Sequence, residues 1–99
     1  MSMTFLPASA TMWRVNGLEL SVTAVGEGPL VVLAHGFPDL AATWHRQARP
    51  LIESGYRVVM PDMRGYGRSD RPSDITDYSV QAAGADMLGL LEHEGVAQA

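Results

Sequence analysis

An α/β fold with parallel strands is predicted by three features of the chain. Leu30 to Ala34 is apolar without alternation, the mark of a strand covered on both faces, as in the centre of a parallel sheet. Tyr56 to Met60 is a second run of this kind, and the stretch between them has helical character, which together make a βαβ crossover. Asn16-Gly17 between two alternating runs places an antiparallel hairpin ahead of both.

Taken in order, Met1 to Thr11 contains Pro7 and several small residues and reads as a flexible leader, so residues 12–99 form the folded part, a portion of a single domain. Trp13 to Val15 and Leu18 to Val22 are the hairpin strands. Leu18, Leu20 and Val22 should pack while Glu19, Ser21 and Thr23 face solvent. Gly26, Gly28 and Pro29 turn the chain into the apolar run from Leu30. Thr43 to Gly55 should be helical, but Pro50 lacks an N–H and clashes with the preceding turn, so two short pieces are expected, with Pro50 opening the second and Gly55 ending it. Tyr56 to Met60 is the next strand, and Pro61 ends it. Pro61 to Asp77 is a polar loop in which Gly65 and Gly67 turn and Asp62 stands close enough to pair with Arg64. Val80, Met87, Leu88 and Leu91 then recur at helical spacing between Ser79, a plausible N-cap, and Gly95, a stop. That helix should cover the sheet, with Glu92 and Glu94 on a solvated face.

Composition narrows the class. Ninety-nine residues at 46% hydrophobic content make one small unit or a piece of a larger one, and two buried-type strands that need neighbours favour the piece. A formal charge of −4 and a pI near 5.1 argue against nucleic-acid or anionic-membrane partners. With no cysteine in the chain, disulfides, thiolate zinc sites and thiol catalysis are excluded within it. Met1 to Met12 lacks the basic start and apolar core of a signal peptide, and no apolar run approaches the ~20 residues of a membrane span, so a soluble, cytoplasmic protein is expected.

The two blocks that carry chemistry are His35-Gly36-Phe37-Pro38-Asp39, after the first apolar strand, and Pro61 to Ser69, PDMRGYGRS, after the second. With Trp44 between them, their order and spacing resemble the N-terminal part of α/β-hydrolases, and within these the epoxide hydrolases. The resemblance runs from about Trp13 to the last residue. It implies the first half of an α/β-hydrolase sheet and a small-molecule substrate, and it implies no cofactor. It also implies that the nucleophile elbow follows the last helix, so the nucleophile, acid and catalytic histidine stand outside this chain, which alone is expected to be inactive and to associate through an exposed sheet edge.

Among the residues at hand, the Phe37 backbone N–H is the candidate oxyanion donor. Acyl-type intermediates need preorganised donors where negative charge develops, and in the family one comes from the loop after this strand. His35 reads as a residue that orders the turn by hydrogen bonds rather than as a general base. Pro38 makes a cis bond affordable, as the resemblance implies. Gly36, Asp39 and Trp44 fall in the turn or at the substrate pocket, where an exposed acid and a core aromatic are the simpler descriptions of the last two. Gly65-Tyr66-Gly67 begins like a dinucleotide fingerprint, but Asp70 occupies its third glycine position. Ser54, Ser69, Ser73 and Ser79 lie in no G-x-S-x-G elbow. His45 and His93 have no metal-ligand spacing. The readings that remain are an epoxide hydrolase, a haloalkane or fluoroacetate dehalogenase, a serine esterase of the same fold, a noncatalytic relic or association module, and a dinucleotide-binding unit.

Overall fold

The computed structural model describes residues 10–35 and 44–99. Its order is β1 (Ala10–Val15), β2 (Leu18–Val25), β3 (Leu30–Val32), α1 (His45–Glu53), β4 (Arg57–Pro61), a short 3-10 helix (Ile75–Tyr78) and α2 (Val80–Glu94). The strands form one sheet in the order β1-β2-β4-β3. β1 and β2 are the expected hairpin, closed by Asn16 and Gly17 with φ of 50° and 79°, the left-handed pair that this turn requires. β2 is antiparallel to β4 and β3 is parallel to it, with Val32 opposite Val59. The leader bound moves with this, since Ala10 and Thr11 already belong to β1.

Within the described sheet the apolar run from Leu30 pairs with β4 alone. β4 is the interior strand, buried from Val58 to Pro61, whereas β3 spans three residues, lies at the edge of the described sheet, and leaves Val31 and Val32 half-buried. A continuous apolar run signals that both faces are covered, and it carries no information about which edge is paired.

The two faces of the sheet carry separate cores because alternate residues of β4 point in opposite directions. Val58 and Met60 meet Ala48 of α1, with Trp44, Leu51 and Ile52 around them. Val59 joins Trp13, Val15, Leu20, Val22 and Leu30 under Leu90 of α2. Each fully buried valine, leucine or methionine among them contributes roughly 1.5–3 kcal/mol.

The helices depart from expectation in two ways. α1 is one helix with Pro50 inside it. The proline forfeits one bond to the preceding turn at an exposed position, and the Ser54 N–H reaches the Pro50 carbonyl at 3.0 Å, carrying the helix past it. Gly55 does end it, donating to the Ile52 carbonyl at 3.1 Å while Tyr56 donates to that of Leu51. α2 has the predicted ends, with the Ser79 hydroxyl accepting from the Ala82 N–H and Gly95 left-handed. Its buried face is shifted, however. Leu90 and Asp86 are enclosed, whereas Val80 and Leu88 are 85% and 68% exposed. A charged residue is thus placed where helical spacing alone would assign an apolar one. The C-terminal turn is not simply solvated either: Glu94 accepts from Arg57 at 3.1 Å, and His93 stacks on Trp13 with ring centroids 3.9 Å apart.

Candidate functional site

β3 and β4 run parallel and finish side by side, the Leu33 N–H donating to the Val59 carbonyl at 2.9 Å, so the segments leaving both strands emerge at the carboxyl edge of the sheet. In open α/β sheets this is where ligands bind. His35 sits there, 7% exposed. One of its ring nitrogens, Nε2, accepts from the Met63 N–H at 2.9 Å, and the Tyr66 ring meets it edge-on at 4.9 Å. That bond ties the end of β3 to the loop after β4.

The loop that follows β4 is anchored from two sides. On one side, Arg64 is buried and grips Asp86 of α2 with two parallel bonds, Nε to Oδ2 at 2.8 Å and Nη2 to Oδ1 at 2.7 Å, and its Nη1 donates to the Asp77 carbonyl at 2.7 Å. Asn16, at the tip of the hairpin, donates to Asp86 Oδ1 at 3.1 Å. The Asp86 hydrogen bond, with its charge, raises the Arg64 pKa further above its ordinary value. Arg64 therefore pairs with Asp86, not with Asp62 as sequence proximity predicts. The fork of a guanidinium is satisfied by a carboxylate that meets it in plane, and α2 offers one. On the other side, the loop continues the β4 side of β2 past the end of the β2–β4 ladder. Ser21 N–H donates to Ser69 Oγ at 2.8 Å, Glu19 N–H to Asp70 Oδ2 at 2.9 Å, and Asp62 and Asp70 N–H groups donate to the Ser21 and Glu19 carbonyls at 2.8 Å. This covering buries Ser21, which alternation alone would leave exposed.

The glycine-rich turn is likewise spoken for. Gly65 and Ser69 N–H groups donate to the Asp70 and Tyr66 carbonyls, and Arg71 donates to the carbonyls of Gly65 and Gly67 at 3.1 and 3.0 Å. Gly65 and Ser69 thus have no amides turned outward for a phosphate, which argues against the dinucleotide reading. Between this turn and α2 lies a cavity of about 220 Å³ lined by His35, Met63, Arg64, Tyr66, Tyr78 and Ser79.

Of the residues singled out from sequence, His35 and Trp44 fall within the described structure. Trp44 opens α1 and packs against the Val58 and Met60 core, with its indole Nε1 buried and unpartnered among the described residues. Gly36, Phe37, Pro38 and Asp39 lie outside the described residues, as does the side chain of His45. No group of His, Cys, Asp or Glu suited to a metal ion occurs among the described residues, and no described helix is long and apolar enough to cross a membrane. The Arg64, Asp86 and Asn16 cluster was missed. Its signal was a carboxylate four residues before a core leucine on an otherwise apolar helix face.

A family model for the α/β-hydrolase fold matches residues 29–99. The chain belongs to the α/β-hydrolase fold family. This hydrolase chain is 48% identical over 77 residues to an epoxide hydrolase of Caballeronia sordidicola, covering 78% of this chain and 23% of that protein. It is 46% identical over 86 residues to epoxide hydrolase A of Mycobacterium tuberculosis, covering 85% of this chain and 27% of that one. In three dimensions it is similar to an epoxide hydrolase from Vigna radiata, with a TM-score of 0.90 and 38% identity over 98% of this chain and 31% of the other. The hydrolase chain thus spans about a quarter of the length of the curated relatives it matches.

Proposed function

We propose that this chain is part of an epoxide hydrolase in which an aspartate opens the epoxide by attack on carbon and water then cleaves the alkyl-enzyme ester. The observation that carries the reading is the 48% identity to an epoxide hydrolase. The chain contributes the first half of the sheet, with the Phe37 N–H as donor to the oxyanion that forms when water attacks the ester. Gly36, Pro38, Asp39 and Trp44 border the pocket or its turn, and His35 anchors them to the β4 loop. The nucleophile comes from outside this chain: Ser69 Oγ is bonded to the Asp62 carbonyl and the Ser21 N–H, Ser79 caps α2, and Asp86 neutralises Arg64. The reaction needs no cofactor, and the cytoplasm is the expected compartment.

A single-turnover reaction of the full protein with an aryl epoxide in ¹⁸O-water tests the reading. An ester route puts an enzyme oxygen into the first diol, so that diol contains no label. Label in the first turnover, or halide release from haloalkanes without epoxide turnover, overturns the assignment, the second in favour of a dehalogenase. Hydrolysis of aryl acetates alone points to a serine esterase.

A further inference from the structure

We propose that Asn16, the chain's single asparagine, is a site of spontaneous covalent modification: its side-chain amide is lost as ammonia, and the aspartate or isoaspartate left behind releases the hairpin tip from α2. Asparagine followed by glycine is the pair in which this reaction is least hindered, because the attacking nitrogen has no side chain beside it. The space around Gly17 is open, with nothing within 4 Å of the place a Cβ would take, and Asn16 is itself exposed. The Gly17 nitrogen bonds to Asn16 Cγ, the Cγ–Nδ2 bond breaks, and the proton given up by the Gly17 N–H leaves with Nδ2 as ammonia. Water then opens the succinimide ring at either carbonyl, giving aspartate or isoaspartate.

Asp86 ties this chemistry to the fold. The nitrogen that must depart is the one it holds, since Asn16 Nδ2 donates to Asp86 Oδ1 at 3.1 Å, so the ring closes once that bond has opened. The bond slows the reaction without preventing it. The product cannot return to the same place. An aspartate at this position sets a second carboxylate against Asp86, which has no exposed surface and whose two oxygens already accept from Arg64. Like charges that close and out of water repel strongly. An isoaspartate also lengthens the main chain inside a two-residue turn, which disturbs the pairing of Val15 with Leu18. The effect reaches α2 because the helix rests on this tip, where a Cβ at Gly89 would stand 3.3 Å from the Asn16 nitrogen.

The test holds the full protein in mildly alkaline buffer, with and without urea, and follows Asn16 by peptide mapping and mass spectrometry. Conversion is expected in both, slower in the native protein by about tenfold or more, the weight of one hydrogen bond to a charged group. A native protein that never converts while the unfolded chain does overturns the site, and equal rates overturn the restraint. Converted protein, separated by ion exchange, and Asn16→Asp should both unfold at a lower urea concentration than the parent and than Asn16→Gly, which removes the bond without adding a charge. In an Asp86→Asn background Asn16→Asp should cost no further stability, because the repulsion has lost its second partner. Should Asp86→Asn fail to fold, the comparison of Asn16→Asp with Asn16→Gly decides alone. Equal urea midpoints for those two variants refute the release of the tip by charge.

Discussion

Two glycines in α2 offer a controlled measurement of how tightly the helix seats on the hairpin. Gly84 faces open space, and a Cβ there would meet nothing within 4 Å. Gly89 lies on the hairpin, where a Cβ would stand 2.6 Å from Val15 Cγ1 and 3.3 Å from the Asn16 backbone nitrogen. Alanine at either site gains the same roughly 0.5–1 kcal/mol of helix propensity, so the difference between the two variants isolates the packing. Val15 is buried and β-branched, with few rotamers to escape into, and the Asn16 nitrogen is main chain, so neither neighbour can yield cheaply. Overpacking of this kind costs about 1–3 kcal/mol. Gly84→Ala should therefore be more stable than the parent by up to about 1 kcal/mol, and Gly89→Ala less stable than Gly84→Ala by about 1–3 kcal/mol. The two variants should separate in thermal melts followed by tryptophan fluorescence and in urea titrations, with Gly89→Ala unfolding at the lower temperature and the lower urea concentration. Equal stabilities would mean that α2 does not seat against the hairpin tip as described.

Three further outcomes are expected. Leu90→Ala opens a cavity under α2 and should cost about 2–5 kcal/mol in urea unfolding, and a loss below about 1 kcal/mol would show the site to be loosely packed. Ser69→Ala strips a partner from the Ser21 N–H and the Asp62 carbonyl, with an expected loss of about 1–3 kcal/mol and faster exchange of the Ser21 amide, while full protection of that amide would count against it. Asp74 titrates below the ordinary aspartate range because the Thr76 N–H and then the Thr76 hydroxyl bond its carboxylate. Its folded pKa is depressed, so its stabilisation is present above the ordinary aspartate pKa and is lost as pH falls through the lowered folded value; carboxyl NMR titration checks this, and a midpoint at or above the ordinary range would refute it.

Local chemistry was legible in the sequence wherever a residue acts on its own backbone. Asn16-Gly17, Ser79, Gly55 and Gly95 each stand where the turn or cap they encode is found. Pair partners were not legible, because a run of residues does not state which distant group will face it. Leu30 to Val32 shows by its composition that its faces are covered, and nothing in it names the strand it pairs with, which is β4. Arg64 stood two residues from Asp62 in the chain and found Asp86, 22 residues on, because the helix presents a carboxylate in the plane of the guanidinium. Pro50 shows the opposite error: its propensity was known, and the packing of Ala48, Leu51 and Ile52 against β4 outweighed it. At the candidate site, His35 was read from sequence as a residue that orders its surroundings by hydrogen bonds. Its partner, the Met63 amide, could be found only once β3 and β4 were seen to end together.

The seam between β2 and the Ser69-Asp70 corner has a consequence for how the chain comes off the ribosome. The hairpin of β1 and β2 closes within a few residues and can form early, but the other side of Leu18 to Ser21 is completed by a residue 51 positions further on, where Asp70 meets Glu19. Until that corner has been synthesised, the nascent hairpin presents an unfinished ladder to any extended chain nearby. Serine and aspartate there act as a latch, and the time at which the latch arrives, rather than its strength once shut, sets how long the growing edge is open to a neighbour on the same messenger.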